Sequence, residues 1–248
     1  MLWPAKAGLR VIMLAAALAC ATAGTARGQD GDRAVNGRGS VPETPAKKVL
    51  DDIRIRVGRL RYGGGGDWYS NPSSLPNLLR EFEARTGIPT AAAEKVVSLE
   101  DQDLFATPFL YMNGHGNVQL TPVEMSRLRE HLLAGGFLFA DDNYGMDQSF
   151  RRMVRMLFPE RKLAVIPLDH RIYRSFYEMD GPPKIHEHDG RAPEGLGVFN
   201  GDRLMIFYTY ESDIGDGLED ADVHNDPPDK REQAVRMAVN VLYYALTE

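Results

Sequence analysis

From Ile53 onward the chain alternates short apolar runs with stretches whose apolar residues recur every three or four positions. Ile53-Arg54-Ile55-Arg56-Val57 sets apolar and charged residues on alternate positions, the period of a half-exposed strand that ends by Tyr62 and Gly63 to Gly66. Asn71-Pro72-Ser73-Ser74 opens a helix with Leu75, Leu78, Leu79 and Phe82 on one stripe, closed by Gly87. Lys95 to Leu99 reads as a short strand and Phe109 to Met112 as a buried one. Thr121-Pro122-Val123-Glu124 is a capping box with proline at the first helical position, starting a helix through Leu128, Leu132 and Leu133 to Gly135-Gly136. Phe137 to Ala140 is unbroken apolar sequence, as a central parallel strand covered on both faces requires. A helix from Asp147 to Phe158 follows, with Asp147 as its expected cap, and then a strand from Leu163 to Ile166. Leu196 to Phe199 and Leu204 to Tyr210 flank Asn200-Gly201, a hairpin signal. Asp229 and Glu232 are expected to cap a last amphipathic helix through Val235, Ala238, Val239 and Leu242.

This alternation predicts an α/β domain, an open, mostly parallel sheet with helices on both faces. Ligands of such sheets bind beyond the carboxyl ends of the strands, so the loops leaving strand ends are where chemistry is expected.

The first 50 residues break the pattern. Lys6 and Arg10 precede a mostly apolar run from Val11 to Ala23, followed by small residues around Ala21-Thr22-Ala23 and Ala26-Arg27-Gly28, the order of a secretory signal peptide. The run falls short of the roughly 20 residues a bilayer-spanning helix needs. Residues 1–28 are therefore expected to be a leader, 29–50 a polar linker, and 51–248 the folded domain. The expected location is exported, periplasmic or extracellular, with no transmembrane helix in the mature chain. Cys20 is the only cysteine; lipidation there is the alternative to ordinary cleavage between Ala21 and Gln29. Either way no free thiol remains for catalysis and no disulfide is available. Removing Lys6, Arg10 and Arg27 takes the net charge from −6 to −9, with 26 basic against 35 acidic residues. So acidic a chain lacks the basic footprint of a nucleic-acid binder.

Five segments carry candidate chemistry. Gly63 to Tyr69 matches neither the P-loop nor the dinucleotide fingerprint. Its glycines would let backbone amides approach a ligand, making Gly65, Asp67, Trp68 and Tyr69 ligand-binding candidates; a surface loop is the bland alternative. In Asn113-Gly114-His115-Gly116-Asn117, flanking glycines leave the His115 imidazole accessible as a general base or metal ligand, beside Asn113 and Gly114 as binding residues. Its alternative is a histidine that only bonds its own loop.

Asp141-Asp142-Asn143-Tyr144-Gly145 leaves the most hydrophobic strand, and adjacent carboxylates there tend to be paired, metal-bound or shifted in pKa. Asp141 and Asp142 are catalytic candidates with His115, and Asn143 and Tyr144 binding candidates; a helix-capping role competes. Glu211 to Asp226 holds seven acids, Glu211 and Asp213 among them, which suit a hard cation such as Ca²⁺ or simply a solvated face. If Lys184 to Asp189 is extended, His186 and His188 project to one side and could ligate a transition metal with a third residue. The only cofactor these patterns suggest is a divalent metal.

Asn-Gly-His-Gly at 113–116, Gly-Gly-Phe-Leu-Phe-Ala-Asp-Asp-Asn-Tyr-Gly-Met-Asp at 135–147, Pro-Lys-Ile-His-Glu-His-Asp-Gly at 183–190 and Tyr-Thr-Tyr-Glu-Ser-Asp-Ile-Gly-Asp-Gly at 208–217 together resemble the DUF4159 family, a bacterial family of unknown function. The resemblance runs from about Ile53 to the C-terminus. It implies a class I glutamine amidotransferase-like, flavodoxin-like sheet. In that superfamily a nucleophilic cysteine sits on the turn after a central strand; here that turn holds Asp141, Asp142 and Asn143. Arg171 after His170, where relatives tend to have proline, and Leu218, where an aromatic is common, depart from the pattern at the rim of the expected site.

Two functions follow as expectations. The first is a cell-envelope binding domain, an amidotransferase-like fold without catalysis that recognises a carbohydrate, small molecule, peptide or protein partner. The second is a hydrolase using His115 with Asp141 or Asp142, through a metal-activated water or as a base and its orienter. A calcium-stabilised adhesion module rests on the acid-rich segment alone. The first two require that His115, the Asp141–Asp142 pair and the Gly-Asp-Trp-Tyr turn meet in one cleft.

Overall fold

The computed structural model describes residues 54–248; the expected leader, the linker and Ile53 lie outside the described residues. Seven strands form one sheet: β1 (Val57–Arg61), β2 (Lys95–Ser98), β3 (Phe109–Gly114), β4 (Phe137–Asp142), β5 (Ala164–Val165), β6 (Glu194–Asn200) and β7 (Arg203–Tyr210). Their order is β2-β1-β3-β4-β7-β6-β5. The first five in that order run parallel, while β6 pairs antiparallel with β7 and β5 antiparallel with β6. The helices are α1 (Ser74–Thr86), α2 (Pro122–Leu133), α3 (Asp147–Leu157), α4 (Ile214–Leu218), α5 (Ala221–His224) and α6 (Pro228–Thr247).

Each face of the sheet carries its own buried cluster. Leu75, Leu78 and Phe82 of α1 and Met237, Ala238 and Val241 of α6 pack with Tyr111, Phe139 and Phe207. Leu128 and Leu132 of α2 and Phe150 and Met153 of α3 pack with Leu110, Leu138 and Ile206. Neighbouring residues of one strand feed opposite clusters, which is why β3 and β4 read as unbroken apolar runs.

The elements expected from periodicity form, with local corrections. The first strand starts at Val57, where the alternating segment was expected to end, and Ile55 makes only a single bridge to Thr90. The strand is also not half-exposed. Arg59 in its middle is buried, and its guanidinium donates to the carbonyls of Ser70 (2.8 Å) and Asn71 (3.0 Å) and to Asn113 Oδ1 (3.1 Å), with Glu94 at 3.2 Å. A charge can sit there because the chain folds these acceptors, and Ser74 Oγ at 3.3 Å, around it.

The capping box at Thr121 closes in both directions, at 2.8 and 3.2 Å. Asp147 is not the cap of α3: the N-cap is Met146, whose N–H donates to Asp142 Oδ1 at 3.0 Å. Nor do Asp229 and Glu232 cap α6, which starts at Pro227-Pro228; Glu232 instead pairs with Arg85 of α1 at 2.8 Å. No described helix is long and apolar enough to cross a membrane.

The topology fixes where the polar loops go. β1, β3, β4 and β7 are parallel, so the segments after each of them leave one edge of the sheet. β5 shares their direction and β6 opposes it, so the connection from Ile166 to Pro193 begins and ends at that same edge. The order reverses between β1 and β3, the switch point at which sheets of this kind open a crevice.

Candidate functional site

The glycine run after β1 lies against the histidine loop after β3. Gln119 N–H donates to Gly63 O (2.8 Å), Gly66 N–H to Asn117 O (3.0 Å) and Asp67 N–H to His115 O (3.2 Å). A Cβ on Gly66 would stand 2.7 Å from Asn117 O and 2.9 Å from His115 O. Glycine is needed here so that two backbones can approach, rather than to admit a ligand to the amides. The zipper sets Asp67 on His115: the carboxylate accepts from the His115 backbone N–H, and its Oδ2 lies 3.0 Å from His115 Nδ1. The imidazole is half exposed, with Nε2 free of these contacts.

Asn113 is buried and bonded to Arg59 and Ser70, and Gly114 N–H donates to Asn143 Oδ1 at 3.2 Å. Trp68 packs partly against the core, with Tyr69 exposed at its edge. Gly65 has open space around it.

Asp141 and Asp142 end β4 and point to opposite faces, as successive strand residues must. Asp141 is fully buried, accepts from Thr209 Oγ1 and, at 2.6 Å, from Gly215 N–H. Burial first, and then the nearby Asp213 charge, push its carboxyl up to about 7. Asp142 accepts from Tyr144 N–H (3.1 Å), Met146 N–H (3.0 Å) and the Tyr208 hydroxyl (3.2 Å), and burial raises its pKa too. The pair is thus no shared-proton dyad, and the carboxylate that orients His115 is Asp67.

Asn143 turns inward, its amide donating to Asp213 Oδ1 (2.7 Å) and Asp216 Oδ1 (2.8 Å). Tyr144 turns out, half exposed, with its ring 5.1 Å from that of His188 and its hydroxyl donating to Asp189 at 3.2 Å.

The segment 183–190 is tied down along the exit of β7. Ile185 N–H donates to Ser212 O at 2.9 Å, Ser212 Oγ donates to Pro183 O, and Lys184 pairs with Glu211 at 2.6 Å. Burial works against the Glu211 carboxylate, but Lys184 and the Asp189 N–H outweigh it and hold its pKa low. His186 and His188 do face the same way and converge on one oxygen, Asp213 Oδ2, at 3.4 Å from His186 Nδ1 and 2.9 Å from His188 Nε2. Asp213 and Asp216 push His186 up to about 11, and Asp213 raises His188. For Asp213 itself burial is the largest influence and opposes ionisation, yet the two imidazoles prevail and its pKa falls. Glu211, Asp213 and Tyr144 all sit in the left-handed backbone region (φ 59°, 64° and 93°), so backbone strain concentrates around this place.

These loops enclose an open cleft of about 650 Å³ lined by His115, Asn143, Tyr144, Ile185, Glu187 and His188, with His186, Asp213 and Asp216 at its base. Asp67 joins it through His115. Trp68, Tyr69, Asp141 and Asp142 do not line it, so the expected single cleft of His115, the aspartate pair and the Gly-Asp-Trp-Tyr turn does not form. Both aspartates are spent inside the fold, and any function of the cleft rests on His115 with Asp67, Tyr144 and the 185–188 segment instead. The acid-rich segment is shared out rather than massed for one hard cation: Glu211 goes to Lys184, Asp213 to His186 and His188, Glu219 to Ser73 and His224, and Asp226 to His186. Two members of the acid-rich segment that were not read as transition-metal ligands, Asp216 and His224, join His186 at the site. His186, Asp216 and His224 each offer a ligand atom within 4.8 Å of the others. The His-x-His spacing was the visible signal for a metal; His224 lies in the acid-rich segment, but only the fold brings it to His186, 38 positions away.

A family model described as a domain of unknown function, DUF4159, matches residues 56–246. No curated protein matches the chain.

Proposed function

The chain belongs to the DUF4159 family, and from that premise we propose that it is an exported cell-envelope domain of amidotransferase-like ancestry that binds a polyhydroxylated ligand, a glycan, without turning it over. The supporting observation is the state of Asp141. It lies at the end of the central strand, next to the turn where the resemblance implies a nucleophile, yet it is wholly buried with both oxygens engaged by Thr209 and Gly215. What faces solvent in the cleft is a contact surface: the Tyr144 ring, the His115 imidazole and the carboxylate of Glu187, with the His188 ring packed behind Tyr144. A flat aromatic flanked by imidazoles and carboxylates suits a sugar, whose C–H face stacks and whose hydroxyls both donate and accept.

Saturation-transfer NMR with chitotetraose and a muramyl dipeptide as probes tests this. One of them is expected to bind, with Tyr144→Ala weakening it about tenfold, some 1.4 kcal/mol. No transfer to either probe sinks the reading.

One observation favours a second reading, hydrolysis: the Asp67–His115 contact of 3.0 Å leaves His115 Nε2 exposed, the arrangement of a general base and its orienter. Cleavage of the bound probe that disappears in both His115→Ala and Asp67→Asn would select hydrolysis over simple binding.

A further inference from the structure

Next to the glycan cleft, three residues from separate segments converge on one point. His186 Nδ1 lies 2.9 Å and His224 Nδ1 3.6 Å from the same atom, Asp216 Oδ2. Tetrahedral coordination with bonds of about 2.0 Å spaces neighbouring ligand atoms roughly 3.3 Å apart, between those two distances. The two rings meet edge to face, their centroids 5.2 Å apart, and each presents Nδ1 to the shared oxygen.

The outer groups are also assigned. His186 Nε2 lies 2.8 Å from Asp226 Oδ1, and His224 Nε2 lies 3.1 Å from Glu219 Oε2. Each imidazole therefore has its far nitrogen held by its own carboxylate and its near nitrogen turned to the common centre. That carboxylate–histidine pairing is the usual support of a metal-bound imidazole, since it fixes both the tautomer and the ring orientation. Asp216 is prepared likewise: Asn71 (2.6 Å) and Asn143 (2.8 Å) donate to Oδ1, which leaves Oδ2 to face the histidines. The second oxygen of that outer carboxylate, Asp226 Oδ2, is buried without a protein partner.

We infer that His186, Asp216 and His224 bind one divalent transition metal, Zn²⁺ by the chemistry of the donors, with Glu219 and Asp226 as supporting groups. Two imidazoles exclude a calcium-type site, whose ligands are oxygens, and select a borderline ion. The ion replaces whatever proton lies between His186 and Asp216. Three protein ligands leave a fourth position for water or ligand, on the side of the cleft that His186 and Asp216 both line. His188, the second histidine of the pair that spacing suggested, is bonded to Asp213 through Nε2 and stands outside the set.

The inference does not rest on glycan binding. It is tested on the untagged domain, stripped with chelator and titrated with Co²⁺ and with Zn²⁺ against a chromophoric competitor. One equivalent per chain is expected, with the visible absorption of tetrahedral cobalt. His224→Ala, on a short surface helix, should abolish that spectrum. Glu219→Gln should weaken Zn²⁺ about 10- to 100-fold, while His188→Gln and His115→Ala keep the full equivalent. No cobalt spectrum in the wild-type domain overturns the assignment, and so does a spectrum unchanged by His224→Ala and Glu219→Gln together. Should one variant fail to fold, the wild-type spectrum and the remaining variant decide. Metal binding with no bound glycan would sink the proposed function alone.

Discussion

Asp141 illustrates how an environment can convert a residue's role. A carboxyl whose pKa rises to about 7 holds its proton more tightly in the fold than in the unfolded chain. Its contribution is therefore most favourable below about pH 4 and declines between about pH 4 and 7, by up to ~1.4 kcal/mol per pH unit, then levels off. Asparagine can accept from Gly215 N–H with its oxygen and donate to Thr209 with its amide, and it carries no charge to bury. Asp141→Asn should accordingly gain stability relative to wild type on going from pH 5 to pH 8. Thermal melts at both values check this; a difference independent of pH would mean that Asp141 is ionised throughout. At this scale the sequence marks candidates but not partners. Glycines around His115 announce an exposed imidazole, whereas Asp67 becomes its partner only because the two loops zip together 48 positions apart. The two aspartates look like a pair in one dimension and are separated by the thickness of the sheet in three.

Among the elements, β1 shows where periodicity misleads. Arg54, Arg56 and Arg59 all break apolar sequence, but only tertiary structure can tell that Arg59 meets the acceptors of Ser70, Asn71 and Asn113. The alternating segment was thus expected four residues early and on the surface. Elements whose signals are local came through: the Thr121 box, the Gly87 stop of α1 in its left-handed conformation, and the hairpin turn at Gly201. Caps built from distant side chains, such as Asp142 on the start of α3, did not. Arg59→Met should expose the importance of that buried cation, because it leaves several carbonyls and Glu94 without their donor. Urea unfolding is expected to show about 3 kcal/mol less stability. A loss under about 1 kcal/mol would mean that water replaces the guanidinium at little cost.

For the whole molecule, strand–helix alternation was enough to read a doubly wound sheet, and the carboxyl-edge rule was enough to choose the loops. The additional antiparallel pair, β6 and β5, was partly visible as a hairpin, yet its effect of returning the Ile166–Pro193 connection to the same edge depends on sheet order. The proposal of an exported protein is separable from all of this. Expressed with its own first residues in a bacterial host, the chain should be recovered outside the cytoplasm with a mass corresponding to cleavage between Ala21 and Gln29. A full-length cytoplasmic product would count against export.

One consequence follows from the way the connection before β6 is fastened. His186, Glu187 and His188 ride on a single length of chain, moored to β7's exit through Ser212 and through Lys184 on Glu211, whereas His115 and Tyr144 follow on the ends of β3 and β4. One wall of the cleft is thus anchored in the sheet and the other hangs from a short row of hooks. The two imidazoles on that wall are held in turn by Asp213, Asp216 and Asp226, so carboxylates that form the base of the site also fix the wall above it.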